Sequence, residues 1–165
     1  MANNAVSNTG PILHLSEIIA LSALEIFVST VIPQEVADEL IKNKLNIPKK
    51  IRSISLKSEG KDKAKIIAYQ HNLDLGESCA LALTLQEKAD YFLTDDLDAR
   101  STAREYNLNV HGTIGVLLRA YKKGIINKKT ALEKISKIQN NSSLFITKDL
   151  IAQIIKAINN FSKEK

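Results

Sequence analysis

Three carboxylates lie within four residues near the middle of the chain, at Asp95, Asp96 and Asp98. They follow an apolar and aromatic run at 91–94, which has the composition of a buried strand. Charges at the end of such a strand must be solvated, paired or bound to metal. Ligands of open α/β sheets bind at the carboxyl ends of the strands. The stretch therefore predicts a site for a hard cation, although the same acids could simply cap the following helix.

Other oxygen-bearing side chains are expected at the same edge of the sheet. Asn8 follows the first expected strand, Glu39 lies on the helix after the second, and Glu77 lies at a helix start. Mg²⁺ and Mn²⁺ take oxygen ligands, and two or three carboxylates with water and a substrate phosphate are enough. The pattern therefore favours a magnesium or manganese site.

Histidine and cysteine do not suggest a second kind of site. The three histidines have no zinc-ligand spacing and are expected to be surface or capping residues: His14, His71 and His111. Cys79 lies in an apolar helical pattern and is expected to pack in the core. A single cysteine cannot form an internal disulfide, which agrees with a reducing cytoplasm. No run is apolar enough to span a bilayer and no secretion signal begins the chain, so no membrane partner is expected.

The charge distribution suggests a polyanionic partner. The net charge is +5, and the basic residues concentrate at 42–65 and 119–137. An acidic site in a basic chain suits a nucleic acid whose reacting phosphate is handled by metal, although lysine-rich surfaces also serve solubility. Aromatic residues make up 5% of the chain and tryptophan is absent, which argues against a reader that stacks bases on aromatic platforms.

Alternating strands and helices must position these residues. Strands are expected at 5–7, 27–32, 91–94 and 109–111, with one edge strand in a lysine-rich connection at 44–60 that Pro48 and Gly60 interrupt. The expected helices are 12–19, 19–26, 33–41, 61–71, 74–88, 97–106, 114–123, 127–137 and one from 147. Asp74 and Glu77 have the spacing of a capping box. The alternation predicts an α/β fold with a mostly parallel central sheet covered on both faces.

Five segments, in order along residues 5–125, resemble the PIN-domain nucleases and among them the prokaryotic VapC-like toxins. They read VSNTGPIL at 6–13, IPQEVADEL at 32–40, LDLGES at 73–78, FLTDD at 92–96 and HGTIGVLL at 111–118. The resemblance implies a three-layer α/β/α fold forming a single PIN-like domain over 1–165, with helices at about 127–160 packing on it. It also implies an acidic pocket that binds Mg²⁺ or Mn²⁺ and cleaves RNA.

The resemblance assigns the acids of the pocket. The family's helix glutamate falls on Glu39, its central acid on Glu77 and its post-strand acid on Asp96, with Asp95 as near neighbour. Its first-strand aspartate falls on Asn8, whose amide oxygen can ligate a metal but brings no charge, so a weaker metal site is expected. The hydroxyls of Thr9 and Thr113 are expected to orient the metal ligands without contacting the metal themselves.

The function implied is an endoribonuclease, the toxin of a type II toxin–antitoxin pair, with a small antitoxin and a homodimer as further expected partners. A catalytically weakened module that binds RNA or protein is the alternative, motivated by Asn8. A phosphotransfer enzyme or receiver domain is disfavoured, because Arg100 stands where the phosphotransfer signature has Thr or Val, and because a receiver needs an acidic pair after the first strand. Arg100 is itself expected to form a surface ion pair.

Overall fold

A computed structural model describes residues 3–164, with side chains to residue 161. Within them, five strands form one sheet in the order β3-β2-β1-β4-β5, and every neighbouring pair is parallel. The strands are β1 (Asn4–Ser7), β2 (Ser29–Pro33), β3 (Ile51–Ile54), β4 (Tyr91–Leu93) and β5 (Asn109–His111). Helices flank this sheet, so the predicted α/β/α architecture is confirmed.

The helices follow the predicted alternation. They are α1 (Thr9–Glu17), α2 (Gln34–Lys42), α3 (Ser58–His71), α4 (Leu75–Gln86), α5 (Leu97–Glu105), α6 (Thr113–Lys122), α7 (Lys128–Asn141) and α8 (Lys148–Glu164), with a 3₁₀ helix at Leu21–Ile26. Helix α4 packs against β1, β2 and β4, and α6 packs against the 3₁₀ helix and α1. Helix α7 packs on both α6 and α8. None of the helices within residues 3–164 is long and apolar enough to cross a membrane.

The sheet order creates a crevice beside β1. From β1 the chain adds β2 and β3 on one side, and β4 and β5 lie on the other. Ligands of such sheets bind where the order of strands reverses, beyond their carboxyl ends. The backbone N–H of Asn8 donates to the carbonyl of Leu93 at 2.9 Å and ties these two strand ends together. The polar residues after β1 and β4 therefore share one edge.

Two predicted boundaries were wrong for reasons of packing. Helix α7 continues one turn beyond 137, because Ile138 extends its buried stripe. Gly60 does not break the chain but lies in the first turn of α3. A Cβ there would lie 2.6 Å from Oε1 of Gln86 and 3.0 Å from Cδ2 of Leu56, so the glycine permits a close approach.

Cys79 is buried in α4, as predicted. Burial raises the pKa of its thiol to about 11, and the carboxylates of Glu35 and Asp74 add to the effect. A thiol with so high a pKa is a poor nucleophile at neutral pH, because the thiolate is the reactive form. Cys79 is therefore a packing residue.

Candidate functional site

A cleft of about 320 Å³ opens at the carboxyl ends of β1 and β4. It brings together oxygen-bearing side chains from α1, α2, α4 and the turn between β4 and α5. The residues lining it are Asn8, Thr9, Gly10, His14, Glu39, Asp74, Glu77, Asp95, Asp96, Ser143, Leu144 and Phe145. Every residue for which a metal-binding or catalytic role was predicted from sequence lies in this cleft.

Glu77 and Asp96 form a pair of neighbouring acids in the cleft. Burial raises the pKa of Glu77 to about 7, against a partial offset from its hydrogen bond with the Asp74 backbone. The neighbouring carboxylates of Asp74 and Asp96 raise that pKa further. A carboxyl group whose pKa is raised in this way favours a proton or a nearby cation. The electrostatics of the pair therefore fit a bound divalent ion.

Three helices begin at the cleft, and its polar residues cap them. Asn8 Oδ1 accepts from the backbone N–H of Thr9 at 2.7 Å and caps α1. Asp96 Oδ1 accepts from the N–H of Ala99 at 2.8 Å and caps α5. The capping role proposed for Asp96 on sequence grounds and its place in the cleft are therefore compatible. Its second oxygen lies outside the cap.

Asp74 and Glu77 form the predicted capping box at the start of α4. The N–H of Glu77 donates to Asp74 Oδ1 at 2.8 Å, and the N–H of Asp74 donates to Glu77 Oε2 at 3.1 Å. Asp74 was predicted only as a cap, yet it also lines the cleft. It therefore adds a fifth carboxylate to the cleft, one that sequence spacing did not assign to the site.

Gly76 keeps space open among the oxygens of the cleft. A Cβ on this glycine would lie 2.9 Å from Glu39 Oε2, 3.7 Å from Asp74 Oδ1 and 3.9 Å from Asn8 Oδ1. Thr9 Oγ1 donates to Glu39 Oε2 at 2.8 Å, which fixes the glutamate toward this space. The predicted orienting role of Thr9 is consistent with this contact.

The donor set suits a hydrated metal ion rather than a fully protein-coordinated one. Among the described side chains, no group of three or more His, Cys, Asp or Glu forms a ready-made metal site. Mg²⁺ usually keeps several waters and binds through one or two carboxylates and substrate phosphates. The Glu77–Asp96 pair beside the oxygen of Asn8 has that composition, so the residues fit such an ion.

Asp95 lines the cleft and is held by a network of hydrogen bonds. Its Oδ1 accepts from the N–H of Thr113 at 2.7 Å, and its Oδ2 contacts the Thr113 hydroxyl at 2.5 Å and His14 Nδ1 at 2.6 Å. Burial would raise the pKa of Asp95, but the hydrogen bonds from His14 and Thr113 outweigh it and lower the pKa. Asp95 is therefore an anchored carboxylate, and direct metal ligation by it would compete with these bonds.

The prediction of surface or capping roles was wrong for two histidines. His14 lies in the cleft with a side chain 12% exposed, bonded to Asp95. His111 stacks on Tyr91 with ring centroids 5.1 Å apart, and burial followed by the charges of Arg119 and Arg100 lowers its pKa. A helical period of four places His14 on the same face as Gly10, which is the signal that sequence reasoning could have used.

Arg100 does not form the predicted surface ion pair. No salt bridge joins it to another described residue, and its Nε is buried without a hydrogen-bond partner. Its Nη2 lies 3.4 Å from the position of a Cβ on Gly112, which is itself 2.7 Å from Asp95 Oδ1. Arg100 therefore lies close behind the anchored Asp95.

The parallel sheet and the acidic crevice beside β1 define an α/β protein with a carboxylate-lined cleft at the switch point of its strands. The PIN domain family matches residues 4–160, and the chain belongs to this family. PIN domains are in general nucleases, which hydrolyse phosphodiester bonds. No curated protein matches the chain.

The raised pKa of Glu77 predicts a pH dependence of stability. The carboxyl has a pKa of about 7 in the fold and an ordinary value of 4.5, so the folded state retains a proton that the unfolded chain has lost. The free energy of unfolding of the metal-free protein should therefore receive a contribution from Glu77 that falls as pH rises from about 4.5 to about 7. Glu77→Gln should remove this fall, since glutamine still closes a capping box.

Urea unfolding in EDTA at several pH values between 4.5 and 8 would measure this effect. The lowered pKa of His111 acts in the opposite direction in part of the range, but it is common to both proteins and cancels in their difference. Glu59→Gln, at an exposed first-turn position of α3, is the matched control. Parallel pH profiles for wild type and Glu77→Gln would contradict the prediction.

Proposed function

We propose that this protein is a Mg²⁺- or Mn²⁺-dependent endoribonuclease that hydrolyses RNA phosphodiesters in the cleft. The observation that carries the proposal is the convergence of Glu39, Glu77 and Asp96, from three separate elements, on one cleft. Sequence-distant acids repel one another, and their gathering is unfavourable for folding unless it serves a cation. Membership of a family of nucleases supports the reaction type.

Each residue of the cleft has a role in this proposal. Asp96 and Glu77, with the amide oxygen of Asn8, would hold a metal ion, which supplies charge stabilisation at the phosphate and a more acidic bound water. Glu39, fixed by the Thr9 hydroxyl, would accept a hydrogen bond from the attacking water and orient it for in-line attack. Asp96, Glu77 and Asn8 are therefore assigned to ion binding, and Glu39 to orientation of the water.

The network around Asp95 would position the ligands. Bonds from His14 and Thr113 fix Asp95, and Asp95 immediately precedes Asp96 in the turn after β4. Residues behind the ligands commonly set the orientation and basicity of a metal site. The basic stretches at 42–65 and 119–137 would hold the RNA backbone through phosphate contacts without reading bases.

The resemblance to VapC-like toxins supports RNA as the substrate and a toxin role restrained by a small antitoxin. The second candidate function is a weakened module that binds RNA without cutting it. Asn8 favours it, because its oxygen already caps α1 and its Nδ2 donates to Thr94 Oγ1 at 3.3 Å. An uncharged ligand that is partly committed to other bonds would lower metal affinity.

A cleavage assay separates the two candidates. Unstructured and hairpin RNAs with a labelled 5′ end would be incubated with the purified protein in Mn²⁺, Mg²⁺ or EDTA. We expect discrete internal cleavage products with metal, their loss in EDTA and their return when metal is restored. The Asp96→Asn variant, purified identically, controls for contaminating nucleases. RNA binding with no cleavage in either metal would contradict the endonuclease proposal and support the binding module.

A further inference from the structure

The connection between α7 and α8 forms one wall of the acidic cleft. Ser143, Leu144 and Phe145 line the cleft although they lie far along the chain from its acids. The Phe145 residue is 88% exposed, whereas Phe27 and Phe92 are buried in the core. A phenylalanine this exposed adds almost nothing to core burial, and its place at the cleft makes the ring available to a ligand there.

The backbone on both sides of Phe145 is tied down. Glu17, at the end of α1, accepts bonds from the Ser143 N–H at 3.1 Å and from its hydroxyl at 2.8 Å. Leu144 packs against the core, and Thr147 Oγ1 accepts from the N–H of Leu150 at 3.2 Å and caps α8. The ring therefore projects from a fixed support, which reduces the entropy lost when a ligand stacks on it.

The surroundings of the ring indicate what it contacts. Phe145 is the only aromatic residue among those lining the cleft, and its neighbours there include Asp74, Glu77 and Ser143. A protein partner would bury a continuous apolar patch, whereas a ring beside carboxylates that are proposed to hold a cation suits a ligand with a flat face and a phosphate for that cation. A nucleotide has both parts. A paired base has its faces covered by its neighbours in the helix, so the base must be unpaired.

We propose that Phe145 stacks on an unpaired nucleobase next to the scissile phosphate and gives the enzyme a preference for single-stranded RNA. The inference rests on the proposed nuclease function and specifies its substrate. The low aromatic content of the chain excludes an extended stacking platform, but one ring is enough for one base. Phe145 would therefore contact one base by stacking and would not recognise a base sequence.

The test compares Phe145→Ala, Phe145→Trp and a matched control. Tyr69 on α3 is 92% exposed and does not line the cleft, so Tyr69→Ala removes an exposed aromatic elsewhere. Steady-state cleavage would be measured on an unstructured oligonucleotide and on the same sequence within a hairpin stem. We expect Phe145→Ala to lower kcat/KM on the unstructured RNA on the order of tenfold, mainly by raising KM. The Phe145→Trp variant should have the kcat/KM of the wild type, and so should Tyr69→Ala.

Oligonucleotides with one abasic position locate the stacked base. One position near the cut should weaken wild-type cleavage and cause no further loss in Phe145→Ala. Unchanged cleavage by Phe145→Ala, or a loss that Trp does not restore, would overturn the inference while leaving the nuclease function intact. If the wild type cuts no RNA, the proposed function fails, and oligonucleotide affinity measured by fluorescence anisotropy tests the stacking by itself. Equal affinity of wild type and Phe145→Ala would then overturn it.

Discussion

Asp96→Asn is expected to abolish RNA cleavage, by at least about 100-fold, and to leave the metal-free protein as stable as the wild type or more so. Asparagine caps helices as well as aspartate does, so the bond to the N–H of Ala99 that begins α5 should persist. Burial is the main cause of the raised pKa of Glu77, and removing the charge of Asp96 relieves part of the repulsion that raises it further. The substitution therefore separates metal binding from folding.

Initial cleavage rates in Mn²⁺ and urea unfolding in EDTA would measure the two effects. Asp98→Asn is the matched control, because Asp98 lies in the first turn of the same helix and does not line the cleft. It should retain activity and stability. Unfolding of Asp96→Asn in EDTA would show that Asp96 is a structural residue, and full activity would remove it from the site.

Asn8→Asp is expected to strengthen metal binding and raise cleavage at limiting metal on the order of tenfold. The added charge would lie in the buried, acidic end of the cleft, where the interaction of a carboxylate with a cation is only partly screened. Aspartate still caps α1, and the Thr94 hydroxyl can donate to it in place of accepting from the amide. Without metal, the additional carboxylate should destabilise the fold.

Mn²⁺ titrations of activity, with unfolding measured with and without metal, test this prediction. Asn127→Asp is the control, since Asn127 caps α7 by accepting from the N–H of Thr130 and does not line the cleft. It should change neither the metal dependence nor the activity. An Asn8→Asp variant whose metal dependence equals that of the wild type would place Asn8 outside the metal site.

Asp95, Asp96 and Glu77 could be predicted from sequence because each follows a strand or begins a helix, whereas Glu39 lies within α2. Asp96 follows an apolar run, and Glu77 belongs to a capping box, so local rules give both the residue and its position on the sheet. The local rules also identified the switch from strand to helix at Asn8. Local sequence pattern was therefore sufficient to predict which edge of the sheet carries the cleft and most of the oxygen-bearing side chains that line it.

The remaining contacts depend on packing between distant segments. His14 reaches Asp95, 81 positions away in the chain, because α1 follows β1 and β1 pairs with β4. Phe145 reaches the cleft because α7 packs on α6 and because Glu17 anchors the following turn. Arg100 was expected to form an ion pair at the surface. Its position in the sequence gave no sign that its Nε would be buried.

The most direct test is the position of manganese in crystals of the protein soaked with that ion. Anomalous difference density should contain a peak in the cleft at coordination distance from carboxylate oxygens of both Glu77 and Asp96, with the amide oxygen of Asn8 beside it. No peak in the cleft, or a peak that neither Glu77 nor Asp96 touches, would contradict the claim that these acids converge to bind one divalent ion.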